Sequence, residues 1–340
     1  MSYSTLDCDL ESRFMPLSSL TLSREAKERR EICAALKSSI KRYLGSSYSS
    51  NEFELYLYGS SISKAVTKDA DLDLTLVNDK RSYASAIDLN KILRGVIDGD
   101  ISGISSRVQL VEHISRAKVP ILKLRVGGFA CDLSVDNVAA VRNSRYLAAI
   151  FDGCDYRVYT LVRAVKHWAK SNDINDAHQH TLSSYVLTLM TVFFCQTCQP
   201  PLLPINILPE YDVPHESPRS PTELDKSLDD MEAGVLQRVK HFRNYGQSNI
   251  TPLGQLFADF LKYYANFDFA TKAVSVRLGK PIAKRYERGW KHLCVEDPLT
   301  QYNAASSVFD LDQFNRIMSV FRRSLAKIEE KGSFDSILPV

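Results

Sequence analysis

Two carboxylates, Asp71 and Asp73, stand in a run where Leu72, Leu74 and Leu76 alternate with Asp71, Asp73, Thr75 and Val77. A period of two marks a strand, so both acids point to one face and the leucines to the other. Like charges this close need a cation nearby. Oxygen-only ligands suit Mg²⁺ (or Mn²⁺), which binds through one or two carboxylates plus substrate phosphates. Upstream, Leu55 to Tyr58 reads as another strand, and Gly59-Ser60-Ser61 lets the backbone turn sharply into a short helix. The free amides and dipole of such a helix seat a phosphate. Taken singly, the acids fit a solvent-facing strand edge and the glycine an ordinary turn.

A third acid, Asp132, lies in Phe129 to Val135, which follows Ile121 to Val126 and the pair Gly127-Gly128. Two strand-like runs around two glycines predict a β-hairpin. Asp132 is flanked by Ala130, Cys131 and Leu133, so it reads as a carboxylate held by buried neighbours. An exposed acid on an edge strand is the alternative. A Gly-Ser turn joined by one short helix to an Asp-x-Asp strand resembles the signature of the DNA polymerase β superfamily of nucleotidyltransferases. That resemblance implies a third carboxylate on a neighbouring strand, the place Asp132 fills.

The remaining elements must position these groups. The chain has 340 residues, enough for two domains, and a net charge of +3, which permits RNA binding without demanding it. Ser23 to Leu44 reads as a helix with Ile32, Leu36, Ile40 and Leu44 on one stripe, expected to pack onto the later, helical half. A serine-rich linker follows over 45–50. After the Asp-x-Asp strand come a helix from Tyr83 to Val96 and a strand from Val108 to His113.

From Tyr156 the chain turns helical. Tyr156 to Lys170 puts Leu161, Val165, Trp168 and Ala169 on an apolar side, while Lys166 and Lys170 share a face, ordinarily a solvated one. His167 reads as a packed histidine hydrogen-bonded in the domain interface. Ser183 to Gln196 is apolar but too short to span a bilayer, hence core. Cys195 and Cys198, with His178 and His180, have zinc-like spacing, but such a pair inside an apolar helix reads as packing. Pro200 to Thr251 reads as a long loop with one helix near Met231 to Phe242. Leu253 to Ala265 is an amphipathic aromatic helix, Val274 to Arg277 a short strand, Cys294 to Pro298 a turn, and Asp310 to Lys327 the closing helix. Seven scattered cysteines point to a reducing compartment. The early acids Asp7, Asp9, Glu11 and Glu25 are unlike a transit peptide, so cytoplasm is the expectation, with mitochondria left open.

Over nearly its whole length the chain resembles the RNA terminal uridylyltransferases and related non-canonical cytoplasmic poly(A) polymerases. The resemblance rests on Tyr58-Gly59-Ser60, Asp71-Leu72-Asp73, Cys131-Asp132, Arg142-Asn143-Ser144, Val165 to Lys170, Thr181 to Tyr185, Leu253-Gly254 and Val295 to Pro298 with Asn303. It implies an α/β (α+β) enzyme with a small mixed-sheet catalytic domain over 46–145. A mostly helical base-recognition domain takes 1–45 and 146–340, and the active site lies in the cleft. Two ions, Mg²⁺ or Mn²⁺, would be held by Asp71, Asp73 and Asp132. Gly59 and Ser60 would contact the triphosphate, Asn143 and Ser144 the ribose and nearby phosphate, and Lys166, Lys170 and Ser184 the β/γ-phosphates. Tyr185 would stack under the base, with Asp297, Tyr302 and Asn303 at the base edge. Implied partners are an RNA 3′ end and UTP, with no membrane, a monomeric chain and recruiting proteins.

Uridylyltransferases of this kind often carry an acid and a histidine where this chain has Thr300 and Tyr302, and an arginine where it has Ser306. Asp297 still offers uracil N3–H a charge-assisted acceptor, so UTP is expected over ATP by a few edge contacts. A poly(A) polymerase using ATP is the alternative. A catalytically dead RNA-binding relative and a nucleotidyltransferase acting on small molecules are the rivals from other classes.

Overall fold

A computed structural model of the chain describes residues 3–15, 19–45, 52–67, 70–80, 87–103, 108–117, 119–205, 207, 218–241, 245–287 and 289–339. Residues 46–50 of the linker expected over 45–50, and the start of the helix expected from Tyr83, lie outside them. The chain forms two compact units. One comprises Leu17–Asp152 with Glu210–Leu236; the other comprises Met1–Pro16, Gly153–Pro209 and Gln237–Val340.

The first unit is built on a five-stranded mixed sheet: β1 (Phe53–Tyr58), β2 (Leu72–Asn78), β3 (Gln109–Ile114), β4 (Ile121–Val126) and β5 (Phe129–Val135), in the order β1-β2-β5-β4-β3. β2 and β5 run parallel, with Asp73 opposite Asp132, and the other neighbours are antiparallel. The expected hairpin forms: Gly127 and Gly128 both take positive φ, +57° and +88°. Two positive φ values in a two-residue loop make the turn whose twist matches paired strands. Leu72, Leu74 and Leu76 reach zero exposure on one face of β2, as the alternation requires.

Helix α2 (Ser19–Leu44) corrects an expectation. Ile32, Leu36, Ile40 and Leu44 lie in one hydrophobic cluster with Phe53, Leu55, the β2 leucines, Leu122, Leu124 and Leu133. The stripe is sound, but its partner is the sheet, because a mixed sheet has its own apolar face to cover and α2 precedes β1 directly. Residues 17–45 therefore belong with the sheet, not with the helical domain. α3 (Leu89–Ile97) adds Leu89, Ile92 and Val96 to the same cluster, and α4 (Val138–Gly153) follows β5.

The second unit is mostly helical. α5 (Tyr156–Ser171), α6 (Ser184–Thr197), α8 (Leu253–Ala265) and α9 (Leu311–Lys331) pack around Trp168, whose indole N–H donates to Ser324 Oγ at 2.9 Å between the rings of Phe257 and Phe321. An N-terminal helix, α1 (Ser4–Phe14), buries Leu6 and Leu10 here. Asp7 Oδ1 accepts the Gly254 amide at 2.9 Å at the start of α8. A Cβ on Gly254 would lie 2.7 Å from the Asp7 nitrogen, which accounts for glycine in Leu253-Gly254. A small sheet, β7-β6-β8 (Ile282–Ala283, Lys272–Ser275, Val295–Glu296), completes the unit. α7 spans Pro221–His241, ten residues earlier than the expected start at Met231. Among the described residues no helix is long and apolar enough to cross a membrane.

Candidate active site

In the sheet unit the ladder sets the geometry. Register partners in adjacent strands direct their side chains to the same face. Tyr58, Asp73, Asp132 and Lys123 are successive partners across β1, β2, β5 and β4, so they form one row. Asp71 precedes the first ladder residue of β2 and is exposed. All three acids act electrostatically on one sulfur: burial, then the charges of Asp132, Asp73 and Asp71 with that of Cys33, push the Cys131 thiol up. Burial and the charges of Asp73 and Asp132 likewise raise the Tyr58 phenol from 10.0 to about 12.

Among the described residues no three His, Cys, Asp or Glu side chains converge as a preformed metal cluster. The donor set nevertheless fits a hard divalent cation. Two carboxylates face each other across a parallel pair, a third lies two residues upstream, and such ions complete their shell with water and substrate phosphate rather than a protein cage.

The short helix expected after Gly59 is a single 3-10 turn, Gly59–Ile62. One such turn supplies little dipole, so the seat it offers is made of backbone. Gly59 has φ +70°, and a Cβ there would fall 2.0 Å from Asp73 Oδ2. Its amide donates to Ser144 Oγ at 2.8 Å, and Ser144 Oγ donates to the Ala140 carbonyl at 2.7 Å. Ser144 thus ties α4 to the glycine turn, while Asn143 is buried beside it and Ser60 is half-buried.

In the helical unit α5 carries Lys166, buried, and Lys170, exposed. His167 corrects an expectation: it is exposed, with Phe14 and Phe334 at 5.4 and 6.1 Å between centroids. The Ser183 side chain caps α6, which sets Ser184 and Tyr185 in its first turn. Ser184 Oγ donates to Asn175 Oδ1 at 3.1 Å. The Tyr185 hydroxyl donates to Asp297 Oδ2 at 2.9 Å.

The base-edge residues hold more structure than expected. Asp297 Oδ1 accepts the Leu299 and Thr300 amides at 3.0 and 2.8 Å, so with Tyr185 the carboxylate already takes three hydrogen bonds. Asn303 is fully committed: Oδ1 accepts from Val295 and Ala305, and Nδ2 donates to the Gly289 and Leu293 carbonyls. An amide side chain has two donors and two acceptor sites, so nothing is left for a base. Asn303 therefore staples the loop. Tyr302, at 69% exposure, remains open.

Sequence reasoning missed a layer beneath this loop. Glu296, with zero exposure, pairs at 2.9 Å with both Arg277 and Arg285, accepts from Ser275, and Arg285 lies over Trp290 at 5.1 Å. The dispersed arginines gave no spacing signal, and Glu296 was legible only as part of the Glu-Asp-Pro motif.

A mixed sheet with paired aspartates beside a glycine turn of positive φ, joined in sequence to a helical unit with lysines and an anchored tyrosine, defines a nucleotidyltransferase-type protein. The central palm domain model of mitochondrial-like poly(A) RNA polymerases matches residues 16–152, and the Cid1 family poly A polymerase model matches residues 252–303. Poly(A) RNA polymerase GLD2-A of Xenopus laevis is 35% identical over 295 residues, covering 84% of this chain and 54% of that protein. Poly(A) RNA polymerase GLD2 of Homo sapiens is 34% identical over 300 residues, covering 84% and 58%. The chain spans about half the length of the curated relatives it matches. Among solved structures, Cid1 in complex with its short product ApU has a TM-score of 0.70 at 23% identity, covering 99% of this chain and 98% of that one. The mtPAP complex with UTP gives 0.73 at 20% identity, covering 100% and 73%, a likeness of fold. The chain belongs to the non-canonical nucleotidyltransferase family that includes the Cid1-like and GLD2 poly(A) RNA polymerases.

Proposed function

We infer that the chain adds nucleoside monophosphates to RNA 3′ ends without a template, with ATP as the favoured donor. The observation that carries the transfer chemistry is the pairing of Asp73 with Asp132 across β2 and β5, with Asp71 two residues upstream. Mg²⁺ or Mn²⁺ ions bound by these three carboxylates would lower the pKa of the RNA 3′-hydroxyl and offset charge on the triphosphate. Asp132 is the group assigned to draw the hydroxyl proton. The new 3′-O–P bond forms as the bond to pyrophosphate breaks. The Gly59 turn offers backbone to the triphosphate, and Lys166, Lys170 and Ser184 serve the β/γ-phosphates as compact cations and a hydroxyl. Tyr185 supplies a stacking platform that suits any base.

The choice of ATP departs from the expectation of UTP. That expectation needs Asp297 as the acceptor for uracil N3–H, and three of the carboxylate's roughly four acceptor sites already serve Tyr185, Leu299 and Thr300. The GLD2 relatives, named as poly(A) RNA polymerases, support the same choice. UTP stays as the second reading because the exposed Tyr302 ring offers bulk against a purine. Competition between ATP and UTP at equal concentration on a short RNA primer tests the choice. Predominant adenylate incorporation is expected; predominant uridylate incorporation returns the reading to a uridylyltransferase. RNA 3′ ends as acceptor, action as a monomer and a reducing, cytoplasmic setting belong to the same proposal.

A further inference from the structure

Helix α2 carries a buried cation that the transfer chemistry leaves unused. Arg29 is 2% exposed, and a guanidinium is kept out of water only where neighbouring groups take up its donors. Its Nη1 donates to Ser61 Oγ at 2.9 Å and lies 3.5 Å from the Asp71 carbonyl oxygen. Ser61 Oγ donates to that same carbonyl at 3.1 Å. The guanidinium also lies over the Phe129 ring, 5.3 Å from its centroid. One side chain therefore touches the turn that begins at Gly59, the backbone of Asp71, and the first residue of the strand that carries Asp132.

The three carboxylates are not held alike. The ladder fixes Asp73 and Asp132 as partners, but its pairing stops at Leu72, so Asp71 lies beyond it. What holds the Asp71 backbone instead is the Arg29–Ser61 pair. We propose that Arg29 is a positioning residue that sets Asp71, and with it the metal-binding carboxylates, against the Gly59 turn. Arginine suits the task because its Nη1 reaches both acceptors while the guanidinium stays charged when buried and its plane stacks on an aromatic face. Lysine keeps the charge and the helix but cannot do all three.

This proposal rests on the reading of Asp71, Asp73 and Asp132 as metal ligands, and its test separates the two. Arg29→Lys and Ser61→Ala are made in the full chain, the second because it removes the link while leaving the buried charge alone. Mn²⁺ binding is followed by electron paramagnetic resonance without nucleotide or RNA, thermal melting is recorded, and steady-state primer extension gives kcat and KM. Expected for Arg29→Lys is a rise of about 10-fold in the Mn²⁺ dissociation constant. A fall of about 100-fold in kcat should accompany it, with nucleotide KM within about threefold, the pattern of lost alignment rather than lost nucleotide binding. Ser61→Ala should move the same quantities by less, with a melting temperature lowered by the loss of one acceptor to a buried charge but the chain still folded. Unchanged Mn²⁺ affinity and kcat in a folded variant overturn the proposal, and Ser61→Ala alone decides it if Arg29→Lys does not fold. If the unmodified chain binds Mn²⁺ but extends no RNA, the functional reading fails while the Mn²⁺ shift still decides the role of Arg29.

Discussion

At Gly59 a single methyl group would collide with Asp73 Oδ2 at 2.0 Å, on a backbone that L side chains rarely adopt. Gly59→Ala should therefore push the aspartate from its place. We expect a loss of about 100-fold in kcat, since an ångström of misplacement is costly in phosphoryl transfer. Steady-state extension beside a melting curve checks it, and retained kcat would show that Asp73 has room to move. At Tyr185 ring and hydroxyl have separable roles, because the hydroxyl serves Asp297 while the ring faces the base in the proposed reading. Tyr185→Phe should raise nucleotide KM only by the loss of one hydrogen bond, about 1 kcal/mol or less. Tyr185→Ala should cost about 1–3 kcal/mol of stacking. Nucleotide titration of both variants tests this, and equal losses would assign the effect to the hydroxyl.

Elements explain which parts of the sequence could be read. The hairpin around Gly127-Gly128 and the strand Leu72–Asn78 were legible because period and turn chemistry agree there. The stripe of α2 was legible but its partner was not, since an apolar stripe does not say which face it will cover. The early half of α7 was missed because its acidic run weakens the periodicity, although Pro221 at its first position and Ser220, whose Oγ accepts the Glu223 amide at 3.2 Å, are start signals. Asn303 looked like a ligand contact because a polar residue in a motif suggests one; its four internal bonds show a staple for β8. Asn303→Ala should thus leave buried backbone groups unpaired and cost roughly 1–3 kcal/mol, seen as a lower Tm before any change in chemistry. An unaltered Tm would restore Asn303 as a candidate base contact. Cys33 on α2 and Tyr58 at the end of β1 carry a pH signature. Burial raises the Cys33 thiol from 9.0 to about 11, and burial with Asp73 and Asp132 raises the Tyr58 phenol from 10.0 to about 12. The folded chain holds both protons more tightly than the unfolded one, so this stability is complete below pH 9 and is lost as pH climbs to 12. Tyr58 contributes of order 2 kcal/mol of that loss. Urea unfolding across this window should show the decline, and Tyr58→Phe should flatten its upper part; identical curves would contradict the assignment.

On the scale of the whole molecule, each compact unit holds part of the proposed machinery, the carboxylates and glycine turn in one, the lysines and Tyr185 in the other. The carboxylates were legible because a strand's period and a turn's glycine are local facts. The buried Arg29 and the Glu296 pairs were not, because α2 reads as an ordinary charged helix, and partners 32 residues from Arg29 and 11 and 19 residues from Glu296 fall on no helix or strand period. Nucleotide choice is hard to read for the same reason: what Asp297 still offers a base depends on Tyr185, 112 residues earlier. The central claim is metal-dependent transfer through the paired aspartates. It is tested most directly by extending an end-labelled RNA primer with ATP and Mg²⁺, comparing the unmodified chain with Asp73→Asn matched in melting temperature. A lengthening ladder from the unmodified chain and none from the variant is the predicted result; equal ladders from both, or none from the folded unmodified chain with any nucleotide, would contradict it.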